Sequence, residues 1–245
     1  MGRWSVVCAA AVLSLAASAA TALAGSAPPP ALERYVLGLL GRGPAWSAGR
    51  TPESDSIQAG HLANIRRMFA SGKLAAAGPF ADDGDRRGLL VFKVDSLDEI
   101  PPLVAADPAI QRGRLRLDLL PWYAPPGIGD AYRARAAREP GARDSMVSYS
   151  FVFLRRGPAW TANATGRVKR LLAGHARNIE RLRSRGKLLL AGPFEGMGDL
   201  RGVFIFDADT AETRRLVATD PAVRAGRFAP EIHSWWTAWG ILPGH

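Results

Sequence analysis

Apolar positions in this chain follow two spacings. Short consecutive runs such as Tyr35–Leu40 (YVLGLL) and Tyr149–Leu154 (YSFVFL) have the length and the aromatic content of strands. Elsewhere the apolar residues recur helically: Ile57, His61, Ile65 and Met68 stand at i, i+4, i+8 and i+11, one face of an α-helix. The pattern predicts strands at 35–40, 73–77, 89–94 and 114–123, with helices at 56–71 and 97–106. Gly72 stands where a helix ends in the left-handed conformation. Asp107-Pro108 closes the second helix, because proline disfavours helical backbone in the residue before it.

The same grammar then returns. Strands are predicted at 149–154, 187–191, 203–208 and 227–236, and helices at 167–185 and 211–219, closed by Asp220-Pro221. RGPAW occurs at Arg42–Trp46 and Arg156–Trp160, A-G-H-x-x-N-I at Ala59–Ile65 and Ala173–Ile179, and G-K-L-x-x-A-G-P-F at Gly72–Phe80 and Gly186–Phe194. All three pairs share an offset of 114 residues, and 13 of the 25 positions in Ser56–Phe80 equal their counterparts. The chain therefore holds a duplicated domain. Repeat one spans 35–123, a Pro-, Gly- and Arg-rich linker 124–147, and repeat two 148–242.

Each repeat reads β-α-β-β-α-β, an α+β ferredoxin-like unit with both helices on one face of an antiparallel sheet. A sheet whose other face meets water should alternate apolar and polar residues. LLVF (Leu89–Phe92), VFIF (Val203–Phe206) and LLLA (Leu188–Ala191) do not. Something must cover the second face. The other repeat's sheet would do so, giving an intramolecular α+β barrel, a pseudo-dimer; pairing between chains in a homo-oligomer is the alternative.

Composition narrows the picture. The 245 residues suffice for two such domains, and 47% hydrophobic content marks a globular chain. The formal net charge is +10, and only four of the 32 basic residues are lysine (Lys73, Lys93, Lys169, Lys187). The arginines are scattered, no aromatic-plus-basic motif accompanies them, and no nucleic-acid partner is expected. Residues 1–24 read as a signal peptide: Arg3, an apolar run from Val6 to Ala20, then Ala22-Leu23-Ala24 as a cleavage pattern. Residues 25–34 form a Pro-rich spacer. The run is short for a membrane span, so a periplasmic or secreted protein is expected, with no stable membrane insertion after cleavage; an uncleaved anchor is the alternative. The sole cysteine, Cys8, lies in the segment to be removed, which leaves no thiol chemistry.

Candidate chemistry centres on histidine. His61 and His175 hold the same repeat position on the inward helix face, His175 between Leu171 and Ile179. An inward imidazole needs partners, since a buried unsatisfied polar group costs about 1–3 kcal/mol. The two helices of the unit run antiparallel, so His61 faces Asp107 and His175 faces Asp220. Such a pair is either a latch between helices or a general acid–base in which the carboxylate orients the ring. Trp46 and Trp160 could wall a pocket beside it or plug a loop. Pro79-Phe80 and Pro193-Phe194 could line that pocket or serve as turn and core. Asp82, Asp83 and Asp85 read as a solvated hairpin, and His233, which aligns with Leu120, receives no role. No P-loop, dinucleotide fingerprint, zinc spacing or nucleophile elbow is present, so neither metal nor cofactor is expected.

The histidine helix, G-K-L-x-x-A-G-P-F, the hairpin into Arg-Gly and the terminal Asp-Pro before an Arg- and Gly-containing strand resemble the YCII-related domain. The likeness covers about 35–123 and 149–236. It implies a dimeric α+β barrel and an active site at His61 with Asp107 and at His175 with Asp220. Members of the wider superfamily act on small molecules by isomerisation, elimination or oxygenation. The expectation is an exported enzyme performing elimination, isomerisation or hydrolysis on a small molecule. A non-catalytic binding or assembly module is the rival.

Overall fold

The computed structural model describes residues 31–244 apart from residue 197. The expected signal segment, most of the spacer, Cys8 and His245 lie outside the described residues. Among the described residues no helix is long and apolar enough to cross a membrane.

Repeat one comprises β1 (Glu33–Arg42), α1 (Pro52–Ala70), β2 (Leu74–Pro79), β3 (Arg86–Phe92), a 3-10 turn (Leu97–Glu99) running into α2 (Ile100–Val104), α3 (Pro108–Gln111) and β4 (Leu115–Ala124). Repeat two comprises β5 (Met146–Arg156), α5 (Gly166–Ser184), β6 (Leu188–Pro193), β7 (Leu200–Phe206), α6 (Thr210–Val217), α7 (Pro221–Arg224) and β8 (Phe228–Ala238), after α4 (Asp130–Arg138) between the repeats. Both sheets are antiparallel, in the orders β2-β3-β1-β4 and β6-β7-β5-β8. Strand β1 begins at Glu33, inside the stretch read as spacer.

The doubly apolar strands have a direct explanation. Alternate residues serve two cores. Tyr35, Leu37 and Leu39 of β1 meet Phe151 and Phe153 of β5 in one core between the sheets. Their neighbours Val36 and Leu40 face the helices of repeat one, and Val152 and Leu154 face those of repeat two. The sheets are thus face to face with helices outside, the arrangement expected from the strand composition.

Edge strands close the barrel. Phe80 bridges to Trp235 and Trp122 to Phe194. The Ala81 amide donates to the Ser234 carbonyl at 2.9 Å, and the Glu195 amide to the Pro121 carbonyl at 2.8 Å. Here the Gly-Pro-Phe motif acquires its reason: a Cβ on Gly78 would stand 1.9 Å from the Trp236 carbonyl oxygen, and one on Gly192 1.8 Å from that of Tyr123. Only glycine lets the strands approach this closely.

Between the repeats the chain is more than a linker. Arg133 of α4 donates to the carbonyls of Phe69 (2.7 Å) and Leu74 (3.1 Å), and Tyr132 packs edge-on against Phe69 with ring centroids 5.0 Å apart. This ties α4 to the end of α1 and the start of β2.

Candidate functional site

Helix α1 starts with a capping box. Thr51 Oγ1 accepts from the Ser54 amide at 3.1 Å, Ser54 Oγ accepts from the Thr51 amide at 2.8 Å, and Pro52 occupies the first turn. Two turns on, Gly60 lies against Pro108, where a Cβ would come within 2.5 Å of the ring. The glycine before the histidine therefore lets the Asp-Pro segment dock on the helix.

That docking builds the pair. His61 Nδ1 lies 2.7 Å from Asp107 Oδ2. Asp107 is fully buried and caps α3, a helix the sequence did not announce: its Oδ1 accepts from the Ala109 amide at 2.9 Å. Asn64, three residues after His61 on the same face, donates to Oδ2 at 3.4 Å and accepts from Arg67. Burial alone would push the Asp107 carboxyl up, but the bonds from His61, Ala109 and Asn64 and the charge of the ring outweigh it and hold the carboxyl below its ordinary range. An ionised carboxylate only accepts, so Nδ1 carries hydrogen and Nε2 is left for another partner. Asn64 was missed as a member of the site, although it stands in the duplicated A-G-H-x-x-N-I block.

His61 lines a cavity of about 470 Å³ between α1 and strands β2 and β3. Trp46 and Pro79 share its wall, while Phe80 lies in the core between the sheets. Tyr132 and Asp144 bring the inter-repeat segment into the same wall. Tyr132 donates to Asp144 at 2.7 Å, and burial together with that carboxylate pushes its phenol up to about 12.

The second repeat has the same pair in other surroundings. His175 Nδ1 lies 2.6 Å from Asp220 Oδ2, and Asp220 caps α7 through the Ala222 amide at 2.8 Å. Its ring stacks on Phe204 (centroids 5.6 Å apart, 22°) and meets Phe228 at 5.3 Å. The equivalent positions in repeat one are Leu90 and Leu115, both on the cavity wall. The His175 side chain is more exposed than that of His61, 17% against 8%. It lines neither that cavity nor a second one of about 230 Å³ where Gly174 meets Pro221. Phe194 lies in the inter-sheet core and Pro193 is exposed.

Each RGPAW tryptophan is ringed by arginines. Arg42, Arg87 and Arg114 lie 5.4, 5.0 and 4.7 Å from the Trp46 ring, and Arg156, Arg201 and Arg227 lie 5.4, 4.9 and 4.2 Å from that of Trp160. Burial and the neighbouring guanidiniums lower Arg201, and burial lowers Arg227. The hydrophobic pattern gave no sign of these rings, although Arg87-Gly88 and Gly113-Arg114 recur as Arg201-Gly202 and Gly226-Arg227.

His233, given no role above, sits across the barrel. Nδ1 meets Asp82 Oδ2 of the first repeat's hairpin at 2.7 Å, Nε2 meets Glu231 Oε1 at 3.0 Å, and the ring stacks on Phe80 at 4.5 Å. Asp82, read as part of a solvated hairpin, is thereby tied across the barrel while its side chain stays partly exposed. Among the described residues no group of three or more acidic, histidine or cysteine side chains could hold a metal ion.

Residues 43–122 match the family described as YCII-related domain. No curated protein matches the chain in sequence. Solved structures do match in fold. One, provisionally named a chlorite dismutase, is 12% identical with a TM-score of 0.53, over 84% of this chain and 94% of its own. A variant of chlorite dismutase from Candidatus Nitrospira defluvii is 12% identical with a TM-score of 0.53, over 82% and 90%. A heme-binding protein from Thermus thermophilus is 14% identical with a TM-score of 0.47, over 87% and 94%. For the first two, at 12% identity, the likeness concerns the fold alone.

Proposed function

We propose, for a chain that carries a YCII-related domain within a duplicated α+β barrel, that the first repeat binds a small molecule and that His61 exchanges a proton with it. One observation carries this reading: the Asp107-held ring of His61 lines a cavity, while its twin is packed against two phenylalanines. Cavities of this size suit small ligands. With Nδ1–H fixed on Asp107, the Nε2 lone pair can take a proton from a bound O–H or C–H. The imidazolium so formed is stabilised by the carboxylate beside it, and can return the proton to another atom of the same molecule. A proton taken from carbon and returned to carbon serves isomerisation, one passed to a leaving group serves elimination, and one taken from a water that attacks the molecule and passed to the group it displaces serves hydrolysis. The reading of residues 1–24 as a signal peptide supports an exported activity. His175–Asp220 then acts as a latch between α5 and α7.

A thermal-shift screen of small metabolites on wild type, His61→Ala and His175→Ala tests the reading. A compound that stabilises wild type and His175→Ala but not His61→Ala is expected. Equal stabilisation of all three places the ligand elsewhere. A hemin titration belongs beside the screen: a Soret shift lost in His61→Ala would replace proton transfer with iron ligation through Nε2.

A further inference from the structure

The cavity walls are not electrically neutral. Arg66, Arg87 and Arg114 line them, against a single carboxylate, Asp144. Asp144 already accepts from Tyr132 and lies 4.0 Å from Arg135. Apart from Gln58, His61 and Tyr132 the remaining wall is mostly apolar, from Leu40 and Ile65 to Leu89, Leu90 and Leu115.

The Trp46 corner concentrates the charge. Arg42 donates to the Asp83 carbonyl at 2.6 Å, Arg87 to those of Asp82 (2.8 Å) and Gly84 (3.3 Å), and Arg114 to the Ser47 hydroxyl at 2.9 Å. Among the described residues none of the three forms an ion pair. The nearby Asp85, which feels the charge of Arg42, is held by Arg116 at 2.5 Å. The Nε atoms of Arg42 and Arg87 are buried with no acceptor. Three guanidiniums on one indole repel one another, and buried donors without acceptors are costly. Trp160 is crowded in the same way, with Arg227 Nε likewise buried without an acceptor; what sets the Trp46 corner apart is that Arg87 and Arg114 line the cavity, and planar guanidinium forks bind carboxylate and phosphate oxygens in pairs.

Resting on the reading of this cavity as the binding site, we infer that it takes an apolar molecule bearing one anionic group, a carboxylate or a phosphate, held by Arg87 and Arg114. His61 then faces the apolar body, and the arginines fix which of its atoms meets Nε2. The ring of arginines on Trp160 serves as an internal control, because Trp160 lines neither cavity described above.

Calorimetric titration with octanoate, octanamide and octyl phosphate tests the inference. Octanoate is expected to bind at least about tenfold more tightly than octanamide, which has the same body without the charge. Arg87→Gln combined with Arg114→Gln brings octanoate down to the amide's level, and Arg201→Gln leaves it unchanged. The tighter binder of octanoate and octyl phosphate names the anion. If the double variant does not fold, the acid–amide difference in wild type, and its loss on adding salt, decides alone. Octanamide binding as tightly as octanoate, or octanoate binding unchanged in the double variant, overturns the inference. Leu90→Phe with Leu115→Phe, which copies the aromatic filling of repeat two, separates the two levels. If acid and amide bind alike and this variant blocks both, the cavity remains the site and the anion preference falls. If no probe binds wild type, or this variant blocks none, both fall.

Discussion

Among the described residues three histidines turn Nδ1 to a carboxylate, and what meets each ring's remaining surface separates their roles. For His61 it is a cavity, for His175 two phenylalanine rings, for His233 a second carboxylate. Burial alone would lower His233, but the bonds and charges of Glu231 and Asp82 prevail and raise it above its ordinary 6.5. Arg86 and Arg155 face the same cluster through Glu231. The His233 bond, against the opposing effect of burial, and then Arg86 bring Glu231 down to about 2. A base that holds its proton more tightly when folded stabilises fully below 6.5, and that contribution is lost as pH rises through the raised value. An acid lowered on folding stabilises fully above its ordinary 4.5, and loses this as pH falls toward about 2. Urea midpoints should therefore level off between 4.5 and 6.5 and decline as pH rises from 6.5 through the raised value of His233. His233→Gln should flatten the alkaline decline; an unchanged decline in the variant assigns it to another group. No helical or strand spacing could have revealed His233, since its partner Asp82 comes from the other repeat, across the barrel.

Among the elements, the long helices and the strands were legible, because a 3.6-residue period and doubly apolar runs leave few alternatives. The His61–Asp107 contact was legible too, as helix face and antiparallel order sufficed to place it. The four-residue helices α3 and α7 were not. Asp107-Pro108 and Asp220-Pro221 read as stops, yet the same Asp and Pro are the cap and first residue of α3 and α7. Chain termination and initiation use the same two residues, and only the amide two positions on decides between them. The glycines were read for their conformation alone. Gly186, at φ 67° with open space around it, should cost about 1 kcal/mol as alanine. Gly78 and Gly192 face carbonyl oxygens of the opposite sheet, so Gly78→Ala or Gly192→Ala should cost about 3 kcal/mol through displaced backbone at the seam. Chemical denaturation of the three variants ranks them; equal, small losses would mean that the seam yields.

At the scale of the whole molecule, duplication has given two copies of one scaffold different fillings. Tyr35, Trp122, Phe151 and Trp235 are all buried in a core to which both repeats contribute. A fragment of residues 32–145 should therefore pair with itself into a dimer, or aggregate; a folded monomer in sedimentation would contradict the shared core. The asymmetry was present in the sequence as Leu90 against Phe204 and Leu115 against Phe228, but reading it required knowing that these positions surround the histidine. The most direct measurement uses histidine labelled with ¹⁵N, titrated with the compound that stabilises the protein most in the thermal screen. The His61 Nε2 signal should move, with those of His175 and His233 in place. Movement at His175 with His61 still would mean that the working imidazole belongs to the other repeat.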